Sequence, residues 1–363
     1  MWPYYGCPFA VVRNLYSESS GRPDERDLAL RILLCTIDLH GYDVAYHAAL
    51  SALGHDVKTY TGLRRYELRT RARRIATVRL PNVLGANRDR EWGERRSFRE
   101  FVRNQDLKSS LVLFVNGHQL ATSELLSDIR RAGGRSGLWL LDAPSTLPTV
   151  DLDYPEFDFL ASFDPHDARS LLTSSGRPCS YVPQGFDDTL RISAPLRECD
   201  PSLLFIASPG GRRQAIVGEL IQSGVSLELV GQYWPEVLTE SPGVRVVPHD
   251  VDRREAAHMY LHARPCLNVH HAATSGVNPR TFEVAGYGGL LVTDNTRVAE
   301  FFDPGTEALL WSEVHQIVQH AEHIRADPDW AASVASAGHR RAQEAHGLRK
   351  RFGQMFAEWS VGD

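Results

Sequence analysis

The feature that most limits what this chain can fold into is a double series of short apolar runs. Each run has strand length and ends in polar residues, and helical patterns separate them. The first series opens with Arg31–Asp38 (RILLCTID) and His40-Gly41-Tyr42. A helical pattern through Leu53 follows, closed by Gly54, and then the strand GHDVKTYTG. Leu111–Val115 is a further buried strand, ending at Asn116-Gly117-His118. A helix over Ser123–Ala132 leads to the strand Gly137–Leu141, ending at Asp142-Ala143-Pro144. Phe157–Ser162 and Cys179–Val182 complete this half. The polar, proline-containing stretch Ser193–Pro201 reads as a linker. The second series contains the strands SLLFIA, VSLELVG, VRVVP, CLNVHH and GLLVTDN. It holds helices up to Ser223, over Arg253–Ala263 and around Thr281–Tyr287, and Ser312–Trp359 is largely helical. At 363 residues the chain has room for two domains. The pattern predicts an α/β protein with two Rossmann-like domains facing across a cleft, with ligands at the carboxyl ends of the strands. The expected boundaries are an extension over 1–29, an N-terminal domain over 30–195, a C-terminal domain over 196–345 and a last helix within 346–363.

Composition removes several function classes. The net charge is −5, whereas a nucleic-acid-binding surface calls for a basic excess. The Arg-dense stretch Arg64–Arg103 reads as a solvated face, with an anion-gripping patch as the sharper alternative. Cys7, Cys35, Cys179, Cys199 and Cys266 are odd in number, far apart and without a CxxC spacing. A disulfide framework or zinc ribbon is therefore not expected. No apolar run approaches the roughly 20 residues of a membrane span, and the N-terminus lacks the pattern of a signal peptide. A cytoplasmic location is expected.

The stretch Ser275–Asp294 (SGVNPRTFEVAGYGGLLVTD) is the most informative. A loop after a buried strand feeds a helix N-terminus, whose N–H groups and positive dipole end suit a diphosphate. Glu283 lies in that helix, where a carboxylate can accept hydrogen bonds from two vicinal ribose hydroxyls. Gly288-Gly289 allows a tight return to the next strand. A nucleotide pocket is one reading; an ordinary cap with a surface Glu is the other. No P-loop, no G-x-G-x-x-G after the first strand and no G-x-S-x-G elbow occur.

GVNPRTFEVAGYGGLLVTDN resembles the donor-binding motif of GT-B glycosyltransferases, particularly the CgeB-like, spore-maturation-type branch close to the retaining family-4 enzymes. The segments LLFIASPGGRRQAIVGELIQSGVSLELVGQYWP, FDFLASFDPHD, YVPQGFD and FFDPGTEALLW, then Gly338-His339-Arg340 and His346, are similar to that branch in the same order. The resemblance spans roughly residues 30–355. It implies a GT-B fold with an acceptor-binding N-terminal domain, a C-terminal domain for a nucleotide-sugar donor and a last helix crossing back to the N-terminal domain. It implies that Glu283 holds the nucleotide ribose. It also implies that Arg212 or Arg213, on the first loop of the C-terminal domain, faces the diphosphate, where a guanidinium stabilises the departing nucleotide. The loop Ser275-Gly276-Val277-Asn278-Pro279-Arg280 would supply donor contacts. Family-4 enzymes usually carry a Glu eight residues before the ribose Glu; Ser275 stands there.

His118, at a strand end, matches a His that approaches the reacting centre in the retaining branch. Asp38 and His40 end the first strand, where inverting GT-B enzymes often place a general base. His40 as base implies inversion; His118 without a base suits front-face retention. Asp142 is a strand-end carboxylate suited to acceptor contact. His258 and His262 have an i,i+4 spacing that can bind zinc only if a third ligand converges. One of His270 and His271 could face the nucleotide. The expected activity is transfer of a sugar from a nucleoside diphosphate to a small-molecule acceptor, with retention, no metal and no cofactor beyond the co-substrate. No nucleic-acid partner is expected, and a homodimer is compatible. The rival readings are a GT-B-fold sugar-nucleotide epimerase and a non-catalytic sugar-nucleotide binder or spore-coat assembly protein.

Overall fold

The computed structural model describes residues 29–37, 41–62, 86–142, 156–192, 200–238, 241–270 and 274–360; the side chains at positions 37, 62, 86–92, 118, 174 and 175 lie outside that description. The first sheet contains β1 (Arg31–Ile37), β2 (Asp56–Gly62), β3 (Ser110–Val115), β4 (Arg135–Leu140), β5 (Phe159–Ser162) and β6 (Ser180–Tyr181). Their spatial order is β2-β1-β3-β4-β5-β6, and every ladder is parallel. Helices α1 (Tyr42–Ala52), α2 (Ala86–Arg103), α3 (Ser123–Arg131) and α4 (Pro165–Ser175) connect them. Helices on both faces explain why β3 is buried along its whole length.

The second sheet contains β7 (Leu203–Ile206), β8 (Leu227–Val230), β9 (Val244–Val247), β10 (Pro265–Asn268), β11 (Leu290–Thr293) and β12 (Leu309–Leu310). Its order is β12-β11-β10-β7-β8-β9, again all parallel. Helices α5 (Gly211–Gln222), α6 (Arg253–Tyr260), α7 (Pro279–Gly286), α8 (Val314–Ala326) and α9 (Pro328–Ala345) accompany it. The strand order reverses between β1 and β3 in one sheet and between β7 and β10 in the other. Ligand crevices open at such reversals, because neighbouring connections leave toward opposite faces.

The last helix, α10 (Leu348–Glu358), packs on the first sheet. Leu348, Phe352, Met355, Phe356 and Trp359 join Ile32, Leu34, Tyr46 and Trp139 in one core cluster. Trp359 donates its indole N–H to the Leu160 carbonyl at 3.2 Å and stacks on Phe159. Gly137 makes room for it, since a Cβ there would lie 2.6 Å from the indole ring.

Two local expectations change. Arg212 and Arg213 were expected on a loop, but α5 begins at Gly211, directly after the cap residue Gly210, and places both in its first turn. The helix expected around Thr281 begins at Pro279, because Asn278 caps it and proline is preorganised at the first helical position. Gly288 has φ +86 and returns the chain to β11, the left-handed turn that glycine adopts without strain. Cys35 and Cys266 are buried and Cys179 half-buried, and none of the three is in a disulfide.

Candidate active site between the two sheets

The two reversal points face one cavity of about 350 Å³. From the first sheet come Thr36, Val115, Asn116 and Asp142, with Tyr42 and Tyr46 of α1. From the second come Ile206, Ala207 and Ser208 after β7, Arg213 of α5, Arg253 and Tyr260 of α6, and Asn278, Arg280 and Glu283 around the start of α7.

The start of α7 is held by a closed amide network. Asn268, fully buried at the end of β10, exchanges two hydrogen bonds with Asn278, at 3.1 and 2.8 Å, and donates to Thr281 Oγ1. Asn278 Oδ1 accepts from the Thr281 N–H at 3.2 Å. Its side chain is therefore committed to the cap, although the residue lines the cavity. Arg280 and Glu283 lie three positions apart on α7 and so share a helix face.

Glu283 is 8% exposed and accepts a hydrogen bond from the Tyr42 hydroxyl of the facing domain. Arg280 reaches the Tyr260 phenol, while its buried Nε has no hydrogen-bond partner. Among the described residues, Arg213 donates to two carbonyl oxygens, those of Ser208 at 3.2 Å and Val269 at 3.4 Å. Burial first, and the Arg280 charge second, push its pKa down, and the Asp294 carboxylate only partly offsets this. Two guanidiniums thus press positive charge into one cavity. Arg253, at the start of α6, is paired with buried Asp187 and lies beside Tyr287.

Other expected residues sit elsewhere. Arg212 turns away from the cavity, binds Asp294 at 2.6 Å and covers the Trp311 ring. Ser275 and Gly276 do not line the cavity. Their N–H groups and the Ser275 hydroxyl all go to Asp164, the buried cap of α4. His270 is buried and hydrogen-bonds Asp294 through Nδ1 at 2.8 Å. His258 binds its own helix at the Arg254 carbonyl, and no metal-holding cluster of His, Cys, Asp and Glu occurs among the described residues. Asp38, His40 and His271 fall outside the described residues. So does the His118 side chain, whose backbone starts a single 3-10 turn after β3.

Asp142 opens onto the cavity and accepts from Asn116 Nδ2 at 2.5 Å. Asn116 has φ 52 and also takes the Leu141 N–H on its Oδ1, so both ends of its amide are used. The surrounding protein raises the Asp142 carboxyl pKa by desolvation, and the Asn116 bond only partly offsets the rise. Sequence reading missed Tyr42 and the Arg253–Asp187 pair. Asp187 lies in YVPQGFD, a segment singled out for other reasons, whereas nothing in the sequence marks Tyr42.

A glycosyl transferase-like family matches residues 212–357. No curated protein matches the sequence. Among solved structures, sucrose-phosphate synthase from Thermosynechococcus elongatus is similar, with TM-score 0.58 at 14% identity, over 92% of this chain and 100% of that one. Anabaena Alr3699/HepE in complex with UDP and glucose matches with TM-score 0.56 at 14% identity, over 90% and 99%. T4 phage BGT in complex with its UDP-glucose substrate matches with TM-score 0.54 at 9% identity, over 92% and 100%. Two six-stranded parallel sheets with a cavity between their reversal points, in an arrangement shared with these structures, give this chain the GT-B glycosyltransferase fold.

Proposed function

We propose that the protein is a glycosyltransferase that moves a sugar from a nucleoside diphosphate, UDP foremost, to a hydroxyl or amine of a small, specialised-metabolite acceptor in the cytoplasm. The observation that carries this reading is the convergence of Arg213, Arg280 and Glu283 on one cavity between the domains. Two guanidiniums on one cavity match the charge of a diphosphate. Glu283, one turn along α7 from Arg280, suits a ribose diol. The UDP and UDP-glucose complexes of the similar structures support the choice of base.

In this reading Arg213 and Arg280 stabilise the charge on the departing diphosphate, and no metal is needed for that role. Asp142, with Asn116 orienting it, faces the acceptor. Retention is proposed from the resemblance to the family-4 enzymes, with His118 near the reacting centre. Closure of the cleft excludes water, which would otherwise hydrolyse the activated sugar.

A thermal-shift panel of UDP, GDP, ADP, dTDP and CDP on wild type and Glu283→Ala tests the donor site. A nucleotide at 100 times its dissociation constant stabilises by about 2.7 kcal/mol. A shift with one nucleotide that Glu283→Ala removes is the expected result. No shift with any of them overturns the reading. Release of the nucleoside diphosphate that accelerates when acceptor is added separates a transferase from an epimerase or a binder.

A further inference from the structure

The Tyr42–Glu283 hydrogen bond joins the acceptor-side domain to the carboxylate assigned above to the donor ribose. Tyr42 is the first residue of α1, and the preceding Gly41, in the left-handed conformation, gives that helix no side-chain cap. Its ring stacks on Tyr46 with centroids 5.8 Å apart. Tyr46 in turn is wedged against Trp139 and Phe352. The phenol is therefore presented by a stiff aromatic column anchored in the core of the first domain. Four phenols surround Glu283: Tyr42, Tyr46, Tyr260 and Tyr287. Burial first, and the Glu283 charge second, push all four pKa values up, so each stays protonated. The Tyr42 hydroxyl reaches across the cleft to hydrogen-bond the carboxylate.

A carboxylate that holds a vicinal diol uses both of its oxygens, and Tyr42 occupies Oε1. We propose that Tyr42 is a donor-site residue lent by the acceptor domain: its hydroxyl holds Glu283 in the free protein and is displaced by the ribose diol of the nucleotide. The inference rests on the assignment of Glu283 to the ribose. It makes α1 the element that registers donor occupancy, because the hydroxyl must leave Glu283 when ribose arrives. It also makes the ribose, and not only the base, a determinant of which nucleotides bind.

The test is calorimetric titration of UDP and 2′-deoxy-UDP into wild type, Tyr42→Phe, Glu283→Gln and the double variant. Unfolding curves check that each is folded, and Tyr42→Leu serves as a second probe. The expected result is that Tyr42→Phe binds UDP about tenfold more tightly than wild type. The gain is much smaller for 2′-deoxy-UDP and absent on the Glu283→Gln background. Equal or weaker UDP binding by Tyr42→Phe overturns the inference and leaves the donor site standing. So does an equal gain for both nucleotides, which reports a loosened cleft. Wild-type UDP affinity in Glu283→Gln, or no UDP binding by any of these proteins, overturns the donor-site assignment itself and this inference with it.

Discussion

Asp164 and Ser275 lie 111 residues apart and share two hydrogen bonds across the domain boundary. The Ser275 hydroxyl donates at 2.5 Å and its backbone N–H at 2.6 Å, and the Gly276 N–H adds a third bond at 2.9 Å. The same carboxylate caps α4 through the His166 N–H. One buried charge therefore ties the end of β5 to the loop that leads into α7.

This clasp predicts a large stability effect. Burial alone would raise the Asp164 carboxyl pKa, but the bonds from Ser275, Gly276 and His166 outweigh it and hold it below the ordinary value. Asp164→Ala leaves several donors unsatisfied in a buried place and should cost about 3 kcal/mol in urea unfolding, with Asp164→Asn intermediate. Because the folded pKa is depressed, the contribution is present above the ordinary carboxylate pKa and lost as pH falls through the folded one.

The paired arginines predict opposite effects on binding and stability. Arg280→Met removes a guanidinium that presses on Arg213, so the ligand-free protein should keep or gain thermal stability. The same change should weaken UDP binding by tenfold or more, about 1.5 kcal/mol, in a titration. Arg213→Lys should not restore a loss seen in Arg213→Ala, because an ammonium lacks the planar fork that grips a phosphate.

Asp142 predicts a split between donor and acceptor. Asp142→Asn removes the charge that the proposed function assigns to the acceptor and lies outside the group that would hold the nucleotide. UDP affinity should stay within about twofold of wild type, while turnover with acceptor falls by about 100-fold, the usual scale for a positioned acid or base group. Equal loss of both would place Asp142 in the donor site.

His346 predicts acid sensitivity. It is buried beside Arg351, which donates to its Nδ1, and its Nε2 donates to the Phe301 carbonyl. A protonated ring could not accept from Arg351. Burial first, and the Arg351 charge second, push its pKa down to about 3. The unfolded chain, with the ordinary His pKa, takes up a proton that the folded chain refuses. Stability therefore falls as pH drops from about 6.5 toward 3, with about 2 kcal/mol lost between pH 7 and pH 5. Unfolding free energies measured across that range should show the slope, and His346→Gln should flatten it.

The alternation of strand and helix was legible because each layer leaves a local mark. The strand expected over Leu111–Val115 is β3, one residue longer at its start. The helix expected after Arg213 starts at Gly211 and the one expected around Thr281 starts at Pro279, because Gly210 and Asn278 are their cap residues. Of the candidate site, Glu283, Arg213, Arg280, Asn278 and Asp142 do line the cavity, since strand ends and helix starts in a parallel sheet point one way. Arg212 and Arg213 are adjacent on one helix turn, so pattern could not tell which guanidinium faces inward. Packing against Trp311 and Asp294 turns Arg212 away.

The sequence by itself determined the two α/β halves, the motif that carries Glu283, and the lack of a basic excess or of an apolar run of membrane-spanning length, because these follow from hydrophobic period, composition and spacing within a few dozen residues. Tertiary structure decided the rest. The Tyr42–Glu283 bond spans 241 positions, and the Asp164 clasp spans 111. The packing of α10 brings Trp359 onto Leu160 across 199 positions. No local pattern encodes such pairs; they exist only once two separately built sheets are set face to face.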